Sequence, residues 1–225
     1  MTKNYADYKI ERVINMCKSG EKVRIPKQER SLNTKKQIIE AAMKLFSEKG
    51  YHGTNTKEIA KEAGVATGCF YSYFIDKRAV FKDAIVIYCD QFNNILRDHV
   101  TLLTQNCISK KDFFVGLIKS LMDAHKIFTE FHNELYVMSH SDKEIHDLLD
   151  KQHEASIQFT LSYLKECNGS SKVSDLEAAA RIVYWSVHSI VDNIMISTNQ
   201  LNSQKLIDET VDMILSYLFK DSLSN

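Results

Sequence analysis

Three features of this 225-residue sequence predict an all-α fold. It holds one Pro and seven Gly, too few for the turns that an all-β chain of this length needs. From residue 77 onward apolar residues recur at helical spacing over long stretches, and the segments between them are short. Hydrophobic residues make up 44% and charged residues 26%, a balance that supports a buried core rather than a disordered chain. At ~150 residues per domain, the length allows one large domain or two smaller ones.

The elements follow in order along the chain. Residues 5–18 can form a short helix with Ile10, Val13, Ile14 and Cys17 on one face. The next stretch, SGEKVRIPKQERSLN, contains Pro26 and reads as a basic linker. From Thr34 to Lys49, Ile38, Ile39, Ala42, Leu45 and Phe46 sit at helical spacing, and Gly50 closes that helix. Two short helices are expected within 54–77. Beyond them helices are expected at about 77–104, 110–131, 133–139, 142–167, 174–197 and 203–220, separated by NCISK, HSD, NGSSK and TNQLN. Asn168-Gly169 is a stop signal, and Ser174 with Glu177 has the form of a capping box.

Composition also excludes several classes. No run of ~18 apolar residues is present, and the first ten residues lack the apolar core of a signal peptide. Five cysteines (Cys17, Cys69, Cys89, Cys107 and Cys167) are odd in number and scattered without a CxxC pair, which suits reduced thiols in a cytoplasm. His125 and His132 lie seven residues apart, ~10.5 Å on a continuous helix and too far to share an ion, so no metal is expected. No Gly-rich phosphate loop and no local Ser/His/Asp arrangement is present, so an enzyme is not expected.

The formal net charge is zero, yet residues 1–80 hold 16 Lys/Arg against 9 Asp/Glu and residues 81–225 hold 13 against 20. A basic N-terminal third points to an anionic partner, with nucleic acid foremost, or else to a solvated surface. The decisive stretch is TNTKEIAKEAGVATGCFYSYFIDK, residues 54–77. Asn55 with Glu58 can cap a short helix that carries Ile59, Ala60 and Ala63. Gly64 can take a left-handed turn, Val65 plugs it, and a second helix follows from about Thr67 to Phe74. Phe70 and Phe74 share one face of that helix, and Ala60 lets the two helices cross closely. This is a helix-turn-helix pattern whose second helix offers Thr67, Gly68, Cys69, Tyr71, Ser72 and Tyr73. Small residues let a backbone approach DNA, and hydroxyls bond phosphates and base edges.

Over about fifty residues, from Thr34 to Phe81, the sequence closely resembles the DNA-binding domain of TetR-family transcriptional regulators. The resemblance rests on the A-A-x-x-L-F-x-x-x-G-Y run at Ala41 to Tyr51, the I-A-x-x-A-G-V turn, G-x-F-Y-x-Y-F at Gly68 to Phe74, and Lys77 opening the next helix. Ala66 departs from the serine often found before the recognition helix, which would remove one phosphate contact. The resemblance implies that Thr56 and Lys57 touch a phosphate and a base, and that Thr67, Gly68 and Cys69 enter the major groove. It implies backbone or base-edge contacts from Tyr71, Ser72 and Tyr73, and phosphate contacts from Lys77, Lys35 and Lys36. It also implies a homodimer on near-palindromic double-stranded operator DNA.

The resemblance divides the chain into an extension at 1–30, a DNA-binding domain at 31–78 and a ligand-binding and dimerisation bundle at 79–225. It implies an apolar effector cavity, and pairing of the last two long helices with those of a second subunit. There Ala178, Ala179 and Ala180 permit close approach, and Leu206, Val211, Ile214, Leu215, Leu218 and Phe219 form a stripe wide enough for both a core and a seam. Candidate pocket residues are Phe92, Asn93, Phe114, Met122, Phe128, Phe159, Tyr163, Trp185 and His188, each of which also fits ordinary bundle core. Lys22, Arg24, Lys27 and Arg30 around Pro26 suit either a minor-groove arm or a solvated tail.

The expected function is that of a cytoplasmic bacterial repressor, released from its operator by a small apolar or amphipathic effector, with no cofactor and no membrane association. The alternative is a nucleoid or cell-division factor with the same module, governed by a partner protein instead of an inducer.

Overall fold

The computed structural model describes residues 29–105, 108–166, 172–196 and 202–219. The expected helix at 5–18 and the basic cluster around Pro26, apart from Arg30, lie outside those residues. Among the described residues every regular element is a helix. In order they are α1 (Glu29–Gly53), α2 (Thr56–Glu62), α3 (Thr67–Tyr73), α4 (Lys77–Thr104), α5 (Lys110–Ser141), α6 (Lys143–Glu166), α7 (Leu176–Ile196) and α8 (Ser203–Leu218).

Packing groups the described helices into two compact units. One takes residues up to Asp90 together with Phe128–Leu149, and the other takes Gln91–Ile127 and the chain from Asp150 onward. The units do not coincide with the segments 31–78 and 79–225. Three helices, α4, α5 and α6, each contribute residues to both.

The first unit is built on the apolar faces the sequence sets out. Ile38, Ile39, Ala42, Leu45 and Phe46 of α1 are buried with Ile59 and Ala60 of α2 and Phe70 and Phe74 of α3. Phe81 links the layers, edge-on to Phe46 at 5.1 Å and tilted against Phe131 of α5 at 5.7 Å. Such aromatic pairs bury large areas and prefer these inclined geometries. In the second unit, Phe113, Phe114, Leu117 and Ile118 of α5 pack with Ile157, Leu161 and Leu164 of α6 and with the inner faces of α7 and α8. Ala179 and Ala180 are fully buried there, as are Val211, Ile214 and Leu218, so the α7 alanines and the α8 stripe serve this unit's own core. Ile182, Trp185 and Met213 remain exposed.

Two boundaries differ from expectation. The helices expected at 110–131 and 133–139 form one element, α5, with a local break at Phe128 (φ −118°, ψ 17°). The spacing expected between His125 and His132 presumes a continuous helix, and that break removes the premise. At the start of α7 the cap is Asp175, not Ser174, because Asp175 Oδ1 accepts from the N–H groups of Glu177 and Ala178 at 3.0 and 2.9 Å.

Candidate nucleic-acid interface

The turn between α2 and α3 is set by local chemistry. Asn55 accepts at its side chain from Lys57 N and Glu58 N, while Glu58 accepts from Asn55 N, closing the expected capping box. At the other end Gly64 adopts φ +68°. Its N–H donates to Lys61 O at 3.1 Å, and the Val65 N–H donates to Ala60 O at 2.9 Å. These bonds satisfy carbonyls that the end of α2 leaves without helical partners, and they turn the chain sharply.

α3 is held by its inner face. Phe70 is fully buried and Phe74 nearly so, and their rings lie 5.8 Å apart. With that face committed, Thr67, Gly68, Tyr71 and Ser72 are exposed, and Cys69 and Tyr73 are partly exposed. A Cβ built at Gly68 would meet nothing within 4 Å, so nothing inside the molecule requires a glycine there.

The aromatic hydroxyls of α3 are tied to other helices. Tyr71 Oη lies 2.9 Å from Thr56 Oγ1 at the start of α2, and Tyr73 Oη lies 2.9 Å from Ser31 Oγ on α1. Ser72 Oγ donates to Gly68 O at 3.1 Å. Thr56, Tyr71 and Tyr73 therefore brace the helix as well as line its face. No local sequence pattern marks Ser31, whose partner stands 42 residues away.

Two of the lysines expected at phosphates have partners within the protein. Lys35 is buried, with Nζ 2.7 Å from Asp83 and 5.2 Å from the centre of the Phe74 ring. Lys77 donates to the carbonyls of Tyr51 and Thr54 at 2.7 and 2.9 Å and sits 4.4 Å from the centre of the Tyr51 ring. Those carbonyls belong to the α1–α2 junction, where the chain leaves helical geometry and needs donors. Both lysines thus hold the domain together. Lys36 lies 3.8 Å from Glu40 on its own helix, and Lys57 is exposed beside α3. Ala66 precedes α3 without a side-chain cap.

Residues 38–84 match the family model described as bacterial regulatory proteins, tetR family. That segment, which holds α2 and α3, is a tetR-family domain. It is similar to the HTH-type transcriptional regulator YuxN of Bacillus subtilis, 38% identical over 98 residues, a match covering 37% of this chain and 34% of YuxN. It is also similar to IcaR of Staphylococcus aureus, a negative transcriptional regulator of a biofilm operon, 37% identical over 62 residues covering 28% of this chain and 33% of IcaR. These matches span about a third of each relative's length. Among solved structures, one from Mesorhizobium loti described as a TetR-family regulator aligns with a TM-score of 0.73 at 22% identity, covering 86% of this chain and 100% of that one. SmeT, the repressor of a Stenotrophomonas maltophilia multidrug efflux pump, aligns with a TM-score of 0.64 at 17% identity, covering 88% and 96%. At these identities the likeness is one of fold.

The pocket candidates fall in both units. Phe114, Met122 and Tyr163 belong to the core of the second unit. Phe92 packs on His125 at 4.9 Å, Arg97 lies over Phe159 at 5.6 Å, and Asn93 Oδ1 accepts from Ser156 at 2.6 Å. His188 Nδ1 lies 3.1 Å from Asp192 Oδ2, and its ring is 5.4 Å from that of Trp185, which is 44% exposed rather than enclosed. Phe128 belongs to the first unit, where it meets Tyr88 edge-on at 6.1 Å. Among the described residues no helix is long and apolar enough to cross a membrane.

Proposed function

We propose that the chain represses transcription by binding a near-palindromic duplex operator as a homodimer, and that a small apolar or amphipathic effector releases it. The observation that carries this reading is the α2–α3 pair, in which Gly64 turns the chain and Phe70 and Phe74 fix α3 so that its other face is open. Repression is favoured by two proteins with related domains or folds, one a negative regulator and the other a repressor. A two-fold operator requires a two-fold protein, and α7 and α8 carry the exposed apolar residues Ile182, Trp185 and Met213.

Release needs a second conformation in which the two recognition helices no longer match the operator. An effector that prefers that state shifts the population by its differential affinity, typically ~1–3 kcal/mol. α4, which follows the helix-turn-helix directly, is one candidate lever. α5 and α6 also contribute to both units, so three helices are available to transmit the change.

Selection of bound duplexes from random DNA at a fixed salt concentration tests the reading. Enrichment of a palindrome is the expected result. Binding without enrichment, vanishing as salt rises, would overturn it.

A further inference from the structure

We propose that α3 reads thymine through its C5-methyl group, so that each operator half-site is thymine-rich where α3 enters the major groove. The inference rests on the proposed DNA-binding function and adds the class of sequence recognised.

The argument begins with what α3 does not carry. Guanine is usually read by Arg or Lys, adenine by Asn or Gln, and cytosine by Asp or Glu. The sequence of α3, TGCFYSY, contains none of these, nor does the turn Ala63–Ala66 before it. Lys77, the next cation along the chain, is held by the Tyr51 and Thr54 carbonyls.

The hydroxyl groups narrow the choice further. Those of Tyr71, Tyr73 and Ser72 are engaged with Thr56, Ser31 and the Gly68 carbonyl. Thr67 takes part in none of these bonds. The outward groups that remain are the Ala66 methyl, the Thr67 methyl and hydroxyl, and the Cys69 thiol, with the half-exposed Tyr71 ring beside them. This set is predominantly apolar. Of the four bases, only thymine presents an apolar group in the major groove. The open space around Gly68 lets the helix come close enough for such short side chains to reach it.

Replacing thymine by deoxyuridine tests this directly, because it removes the methyl group and leaves base pairing unchanged. The full-length chain is first used to select an operator from random duplexes. That operator is then resynthesised with deoxyuridine at one thymine at a time, and its affinity is measured at constant salt. Each methyl in contact should be worth about three- to fourfold in affinity. Thr67→Ser removes one protein methyl and keeps the hydroxyl, and it should shrink the penalty at one position. Lys57→Ala should weaken both duplexes equally. Half-sites fixed by G·C pairs, or equal binding of thymine and deoxyuridine operators, would overturn the proposal while leaving a sequence-specific regulator. Failure to select any sequence would instead overturn the function on which it rests.

Discussion

Glu134 Oε1 accepts a hydrogen bond from the Tyr51 N–H at 2.5 Å, joining residues 83 apart in sequence. Gly50, at φ +71°, breaks α1 just before Tyr51 and deprives that N–H of a helical partner. The α1–α2 junction is therefore capped by α5. Hydrogen bonds to charged groups contribute ~1.5–3 kcal/mol. Glu134→Ala should destabilise the protein by about that amount, and Glu134→Gln, which keeps an acceptor, by less. Urea unfolding checks this through the midpoint, with an unchanged slope expected. Equal stability of all three proteins would show that the bond contributes nothing.

The two lysines near α3 should separate stability from DNA affinity. Lys77 supplies two hydrogen bonds and a ring contact inside the domain, so Lys77→Ala should lower the melting temperature. Lys57 is exposed. Lys57→Ala should leave melting unchanged and reduce the slope of log affinity against log salt by about one. Thermal unfolding and salt titrations on both variants check the pair, and reversed phenotypes would exchange their roles.

The helix-turn-helix was legible because its determinants are local. The Asn55–Glu58 box, the Gly64 turn and the Phe70–Phe74 face lie within twenty residues, and the structure holds each as expected. What escaped is set by distant partners. Helical spacing puts Lys35 and Lys77 on α1 and α4, but their partners, Asp83 for one and the Tyr51 and Thr54 carbonyls for the other, lie far along the chain. Asp175 and Ser174 are both competent caps, and the structure uses Asp175 where the sequence reading places Ser174. The break at Phe128 falls where no Gly or Pro marks it.

A carboxylate pair should make the first unit sensitive to acid. Burial opposes ionisation of Asp142, but the bonds from Arg78 Nη2 to both carboxylate oxygens and the N–H groups of Ile145 and Glu144 outweigh it, holding the carboxyl below its usual range. Glu144 is lowered as well, chiefly by its hydrogen bond from Lys82. A group depressed in the folded state stabilises fully above its unfolded value and loses that effect as pH falls through the folded value. Stability should therefore decline below about pH 4. Asp142→Asn should cost stability at pH 7, and the gap from wild type should close in acid. A gap that stays constant from pH 7 to pH 3 would exclude ionisation of Asp142 as its source.

Gly68 offers the sharpest separation of fold from function. A glycine within a helix costs roughly 0.5–1 kcal/mol relative to alanine, because its backbone loses more freedom on folding. At Gly68 a Cβ would meet nothing within 4 Å, so Gly68→Ala should raise stability by about that amount. The same methyl would stand on the exposed face of α3, between the backbone and any DNA it approaches. Operator affinity should then fall while the melting temperature rises. A variant that is both more stable and equally tight on its operator would place the closest approach elsewhere on α3. A loss of stability would mean that α3 itself requires the glycine, contrary to the space around it.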